Sequence, residues 1–305
     1  MRVIFMGTPE FARKSLEGLI HSGFEICAVF TKPDSARGRG MKTSFSSVKE
    51  CAIENNLPVF QPETLKDPSI QQMILDLSAD IIAVVAYGLF LPDKVIRSAK
   101  YGAVNLHGSL LPKYRGAAPV QWSVLNGDRV TGVSTFYLTS EMDAGDIIYK
   151  RETEIGEMET SGELFERLAL IGAELLSETL RDIESGTAPR TPQDNSSATY
   201  VTRLSKELCP IDWTRSPREI VKWISGLQPW PVATMDLEGK AVKVFRAAYS
   251  QGRSNAKPGT ITAAGKKGIE VACGNGECLW ITELQYPGKK RMSAADFLRG
   301  HPLTL

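Results

Sequence analysis

The stretch Arg2-Val3-Ile4-Phe5-Met6-Gly7-Thr8-Pro9-Glu10-Phe11 runs an apolar segment directly into a helix start. Val3 to Met6 reads as a strand, Thr8 as a helix N-cap, and Pro9 as the first helical residue, where its fixed φ and missing N–H do no harm. Apolar residues then recur at helical spacing at Phe11, Leu16, Leu19 and Ile20, which predicts a helix packed on a sheet. The same alternation continues: Ile26 to Phe30, Val59 to Phe60, Ile81 to Ala86 and Ala103 to His107 are short apolar runs separated by helical patterns. The first half is therefore expected to be a doubly wound, mostly parallel, Rossmann-like α/β sheet. It lacks the Gly-x-Gly-x-x-Gly fingerprint, and Pro9 removes a phosphate-facing N–H, which argues against a nicotinamide cofactor.

Further along the pattern changes. Val133 to Leu138 and Ile147 to Tyr149 read as two strands joined across Glu141-Met142-Asp143-Ala144-Gly145-Asp146, an antiparallel extension of the sheet. Leu164, Leu168, Ile171, Leu175, Leu176 and Leu180 keep a helical period and predict a long helix from Ser161 to about Ser185. Residues 187–205 are rich in Thr, Pro, Asn, Ser and Ala and read as a linker between a domain of residues 1–186 and another of 206–305. In the latter, Ala241 to Phe245, Gly259 to Thr262, Gly268 to Ala272 and Cys278 to Leu284 are β-like runs between Gly, Asn and Lys turns, a pattern expected of a small OB-like β-barrel.

At 305 residues, two domains with separate cores are the default expectation. The five cysteines are odd in number and form no Cys-x-x-Cys pair, as in reduced cytoplasmic proteins. Cys273 and Cys278 could share a metal, but none of the three histidines has ligand spacing to them, so no metal is expected. No apolar segment approaches the length of a membrane span, and neither export nor insertion is expected. The overall charge of +1 conceals a net of −6 over residues 1–186 and +7 over 187–305. A basic C-terminal part suits a polyanionic partner, although a basic surface also serves solubility alone.

Two features carry chemistry. In Ala103-Val104-Asn105-Leu106-His107 alternate side chains point to opposite faces, so Asn105 and His107 converge on one side of a strand's carboxyl end. An amide and an imidazole so placed can stabilise an oxyanion and handle a proton, the equipment of acyl or formyl transfer; a structural histidine at a strand end fits these two residues as well. The second feature is the stretch from Lys32 to Lys42, with four cations and two glycines, read either as a solvated loop or as a clasp for a phosphorylated ligand. In the C-terminal part Trp213, Trp223 and Trp230 could stack on bases, with core positions favoured for at least two.

Gly7-Thr8-Pro9-x-Phe11, Arg37-Gly38-Arg39-Gly40, Val84-Val85-Ala86-Tyr87-Gly88, Asn105-x-His107-x-Ser109-Leu110-Leu111-Pro112, Arg115-Gly116-Ala117-Ala118-Pro119 and Asp143-x-Gly145-Asp146 together resemble the methionyl-tRNA formyltransferase family, within the folate-dependent formyltransferase superfamily. The similarity extends to Lys206, Ile211-Asp212-Trp213, Pro229-Trp230-Pro231, Pro258-Gly259-Thr260 and Gly268-Ile269. The resemblance implies the formyltransferase fold, 10-formyltetrahydrofolate as formyl donor without a metal, and initiator methionyl-tRNA as acceptor. It also implies Asn105, His107 and Asp143 as the catalytic group, with Asp143 rather than Asp146 as the carboxylate. Ser109, Leu110, Leu111 and Pro112 become the folate-binding loop, and Arg37, Arg39, Lys42 and Lys206 contacts to tRNA. A monomeric enzyme is expected, cytoplasmic as the cysteine pattern suggests. The alternatives are a related folate-dependent formyltransferase or hydrolase acting on a small-molecule amine, and an inert tRNA-binding module.

Overall fold

The structure, a computed structural model, describes residues 1–37 and 42–303. In chain order its elements begin with β1 (Arg2–Gly7), α1 (Glu10–His21), β2 (Glu25–Phe30), β3 (Ser35–Arg37), β4 (Lys42–Ser44), α2 (Ser47–Glu54), β5 (Val59–Phe60), α3 (Pro68–Asp76) and β6 (Ile81–Val85). They continue with α4 (Asp93–Ile96), β7 (Ala103–His107), β8 (Arg115–Gly116), α5 (Pro119–Leu125), β9 (Val130–Tyr137), β10 (Ile147–Glu154), α6 (Ser161–Ser185) and β11 (Tyr200–Val201). The remainder comprises α7 (Pro217–Gly226), β12 (Thr234–Leu237), β13 (Lys240–Arg253), β14 (Ile261–Gly265), β15 (Gly268–Ala272), β16 (Glu277–Gln285), β17 (Met292–Ser293) and α8 (Ala294–Gly300). They form two compact units: residues 1–119, 131–153 and 165–201, and residues 120–130, 154–164 and 202–305.

The first unit is built on a seven-stranded sheet of order β10-β9-β7-β6-β1-β2-β5. The five strands from β5 to β7 pair in parallel, and β9 joins β7 antiparallel. The chain winds outward from β1 through β2 to β5, then returns to the other side of β1 for β6 and β7, so the strand order reverses at the β1–β6 boundary. In such sheets the crevice beyond the carboxyl ends at this reversal is where ligands bind. Buried Ile4, Met6, Phe30, Ile82 and Val84 form part of the core on one face. Helix α1 turns Phe11, Ala12, Leu16 and Leu19 inward, as its periodicity predicts. Its start differs from the expected one by a residue: Pro9 is the N-cap without a side-chain cap bond, because the Thr8 hydroxyl instead donates to the Tyr87 carbonyl after β6. That bond ties the first βα turn to its neighbour across the reversal point.

The second unit centres on an antiparallel sheet of order β12-β13-β16-β15-β14, with β17 also on β16. Strand β13 runs much further than the five residues its sequence suggests, because register shifts let it bend while serving β12 at one end and β16 along the rest. The result is an open half-barrel. Helix α7 closes over the core with Ile220, Val221 and Ile224 buried, and its start is set by the Ser216–Glu219 capping box and Pro217 at the first turn. Trp213 and Trp223 pack on this core, while Trp230 is 54% exposed. Among the described residues no helix is long and apolar enough to cross a membrane.

Residues 187–205, read from sequence as a linker, carry structure of their own. A short helical turn at Asn195–Ser197 leads into β11, which pairs in parallel with β8 in the first unit.

Candidate active site

The carboxyl end of β7 presents Asn105 and His107, and the antiparallel partner β9 sets Phe136 opposite Asn105 and Ser134 opposite His107. Asn105 is half-buried, and among the described residues no hydrogen bond engages its amide. His107 is only 8% exposed; its ring meets Phe136 edge-on. Its Nε2–H donates to the Tyr114 carbonyl at 2.8 Å. A carbonyl only accepts, so Nε2 carries the hydrogen and Nδ1 is the nitrogen left for proton exchange.

Nδ1 faces Asp143, whose Oδ2 lies 3.9 Å away, beyond direct hydrogen-bond range but close enough for an ionic contact or a bridging water. The same Oδ2 accepts the Gly116 N–H at 2.7 Å. Asp143 sits at φ +50, in the left-handed region. Two residues on, a Cβ at Gly145 would overlap the Tyr137 carbonyl oxygen, which explains the glycine of Asp143-x-Gly145-Asp146. The carboxylate of Asp146 turns elsewhere: it accepts from Arg190 Nε at 3.3 Å, and the Arg190 guanidinium stacks on Tyr137. The loop therefore separates the two carboxylates, and Asp143 is the one that meets His107.

The turn after β7 is held from inside. Ser109 is buried and its hydroxyl donates to the Lys113 carbonyl, while the Ser134 hydroxyl donates to the Ser109 carbonyl and accepts the Leu111 N–H. Leu111 is buried against Phe136 and Ile147. Of the four residues in this turn, Leu110 and Pro112 are the two with partly exposed side chains. Arg39 lies outside the described residues; Arg37 and Lys42 are register partners in the antiparallel β3–β4 pair. Lys206 is exposed, at the first turn of a short helix preceding α7.

Several site residues escaped the sequence reading. Arg115, quoted there only as part of a motif, is 2% exposed, and its guanidinium donates to Gln193 Oε1, Asn195 Oδ1 and the Tyr200 hydroxyl. Gln193 in turn donates to the carbonyls of Asp143 and Gly145. Thr199 accepts the Tyr114 N–H through its hydroxyl and the Arg115 N–H through its carbonyl. All these partners come from residues 193–201, whose polar, aperiodic composition carries no signal of a site about 80 residues away.

The arrangement combines a free amide donor, an imidazole with one nitrogen anchored and the other available, and a carboxylate oriented by a backbone N–H. That set can stabilise negative charge on a carbonyl oxygen and move a proton without a covalent intermediate.

Residues 1–180 match the family described as formyl transferase, and residues 203–302 match the formyl transferase C-terminal domain. A methionyl-tRNA formyltransferase of Acetivibrio thermocellus is 45% identical over 302 residues, 99% of this chain and 97% of the relative. One of Alkaliphilus oremlandii is 45% identical over 303 residues, covering 99% and 97%. Among solved structures, an N-formyltransferase from Helicobacter canadensis in complex with folinic acid and dTDP-3-aminofucose shares the fold at TM-score 0.70. It is 18% identical and covers 93% of this chain and 98% of its own. HypX from Aquifex aeolicus aligns at TM-score 0.65 and 19% identity over 98% of this chain and 47% of that one. The chain thus belongs to the formyl transferase family, among the methionyl-tRNA formyltransferases.

Proposed function

We propose that this enzyme transfers a formyl group from 10-formyltetrahydrofolate to the amino group of methionine on initiator tRNA, as a cytoplasmic monomer. The observation that carries the reading is the juxtaposition of Asn105, His107 and Asp143 at the end of β7 in a chain 45% identical to named methionyl-tRNA formyltransferases over nearly its whole length. As the amine attacks the formyl carbon, the Asn105 amide N–H and a protonated His107 Nδ1 offset the charge growing on the formyl oxygen. Asp143, 3.9 Å from Nδ1, orients the ring and takes part in removing the amine's proton directly or through water, while the bond from the formyl carbon to the donor nitrogen breaks and that nitrogen leaves protonated as tetrahydrofolate. No protein nucleophile is needed, so much of the rate comes from holding donor and acceptor together.

For the donor, the half-exposed Leu110 and Pro112 offer an apolar wall, and the buried Ser109 and Leu111 hold the turn that presents it. For the acceptor, Arg37, Arg39 and Lys42 would meet the tRNA end, and Lys206 with other cations of residues 206–305 would take phosphates further along. The basic balance of the C-terminal part favours this acceptor over a small amine. Formyl transfer from labelled donor is measured with initiator and elongator methionyl-tRNA, other aminoacyl-tRNAs and small amines. Preference for initiator methionyl-tRNA is expected; faster turnover of a small amine would replace the proposal.

A further inference from the structure

The backbone of the Asp143 loop is held by a clamp that reaches it from residues far along the chain. The Gln193 side chain has one amide oxygen and one amide nitrogen, and both are fully committed. Its Oε1 accepts from Arg115 Nε at 3.2 Å and from Arg115 Nη2 at 2.8 Å. Its Nε2 donates to the Asp143 carbonyl at 2.8 Å and to the Gly145 carbonyl at 2.7 Å. A reversed amide would set N–H against guanidinium N–H and oxygen against two carbonyls, so the planar fork of Arg115 allows one orientation only. Among the described residues Arg115 has no carboxylate partner; its remaining bonds go to the neutral oxygens of Asn195 and Tyr200. A buried cation satisfied in this way is costly to keep and points to a purpose other than simple stability.

The clamp acts where the backbone needs it. Asp143 is a non-glycine residue at φ +50, a conformation that persists only when its surroundings hold it. The two bonds from Gln193 grip the carbonyls on either side of Ala144, and the result is the carboxylate aimed at the Gly116 N–H and at His107. We infer that Gln193, keyed in orientation by Arg115, is the positioning residue for Asp143. It acts through the Asp143 loop, since its side-chain bonds go to Arg115 and to the Asp143 and Gly145 carbonyls. The inference rests on the reading of Asp143 as the carboxylate of formyl transfer.

The test is a double-mutant cycle on the full-length enzyme, with single-turnover formyl transfer from 10-formyltetrahydrofolate to initiator methionyl-tRNA and thermal unfolding followed for each variant. Gln193→Ala is expected to slow the chemical step on the order of 30-fold with both KM values within about 3-fold, since misplacing a reacting group by an ångström costs up to about 100-fold. In the Asp143→Asn background the same change should cost nothing further, because residues acting as a unit are non-additive. Gln193→Glu keeps the acceptor for Arg115 but loses both donors; it should be as slow as Gln193→Ala, and it carries the cycle if the alanine variant unfolds. Arg115→Lys, which retains charge without the fork, should also be slow. Additive losses in the cycle, or a Gln193→Glu enzyme at the parent rate, would overturn the clamp while leaving Asp143 in place. A fully active Asp143→Asn enzyme would instead remove the reading of Asp143 and the clamp with it.

Discussion

Among the described residues each of the two units buries one lysine or arginine, and the two are satisfied in opposite ways. Arg115 in the first unit is 2% exposed and bonds to side-chain oxygens of Gln193, Asn195 and Tyr200, all neutral. Lys222 in the second unit is 3% exposed and donates to the Gly156 and Glu157 carbonyls at 3.1 and 2.6 Å, with the Glu157 carboxylate 3.8 Å away. The ammonium is a point charge that ties backbone to helix α7 and asks little of geometry. The guanidinium is a planar fork that fixes the direction of another side chain. A buried cation that orients an amide serves a site; one that satisfies peptide carbonyls serves the fold.

The largest expected effect tests whether the β7 end is the site at all. Asn105→Ala and His107→Ala, which remove transition-state donors, and Asp143→Asn, which removes the carboxylate that orients the imidazole and takes up a proton, should each lower turnover by about 100-fold or more with the fold intact. Asp146→Asn, whose carboxylate pairs with Arg190, should stay within about 3-fold of the parent. Steady-state formylation assays read both, and an inactive Asp146→Asn enzyme would show that the wrong carboxylate has been chosen.

Next in size is the pair of cations themselves. Lys222→Met leaves two backbone carbonyls without their donor and should lower the free energy of unfolding by roughly 3 kcal/mol, as breaking a buried charged contact does. Turnover per folded molecule should be unchanged. Arg115→Lys should show the reverse weighting, with a large loss of rate and a smaller loss of stability. Denaturant unfolding beside activity separates them, and equal weighting in both variants would erase the distinction between the regions.

Glycines extend the contrast at a smaller scale. Gly116 has φ +101, and a Cβ there would lie 2.5 Å from the Val201 carbonyl oxygen; Gly268 has φ +121, and a Cβ there would overlap the Ile281 carbonyl. Alanine at either should cost about 1–3 kcal/mol. Only Gly116→Ala should also slow formyl transfer, because the Gly116 N–H holds Asp143.

The smallest effect belongs to the surface of the half-barrel. The Arg291 guanidinium, bonded to both oxygens of Glu283, holds that carboxyl below its ordinary range. A carboxylate depressed in the folded state adds stability above its unfolded pKa and loses it as pH falls through the folded value. Arg291→Ala should therefore cost about 0.5 kcal/mol at neutral pH, a partly exposed pair being well screened, and the two proteins should converge in acid. Thermal unfolding across that range checks the sign.

The sheet was legible because it is written in local order. Runs such as Ile81–Val85 need burial on both faces, and each is a short apolar segment wherever it lies in the chain. The pair Asn105 and His107 was legible for a similar reason: strand alternation alone puts them on one side. Helix α8 and strand β12 were missed, being short segments whose burial comes from the half-barrel they pack on. The partners of Asp143 had no such local mark. Gln193 reaches its loop across 50 residues of chain, in a stretch whose composition says only that it lacks periodicity.

Residue order alone thus determined the alternation of strands and helices, the strand-end amide and imidazole, and the charge division between the two halves of the chain. Tertiary structure decided which of two nearby carboxylates meets His107, that residues 193–201 bond to the Asp143 loop and to β8, and that residues 120–130 and 154–164 pack with the C-terminal unit. The reason is physical. Hydrophobic periodicity and turn chemistry act over a few residues and leave their pattern in the chain, whereas a buried hydrogen-bond network is set by distances in the folded state between residues whose spacing in sequence carries no information.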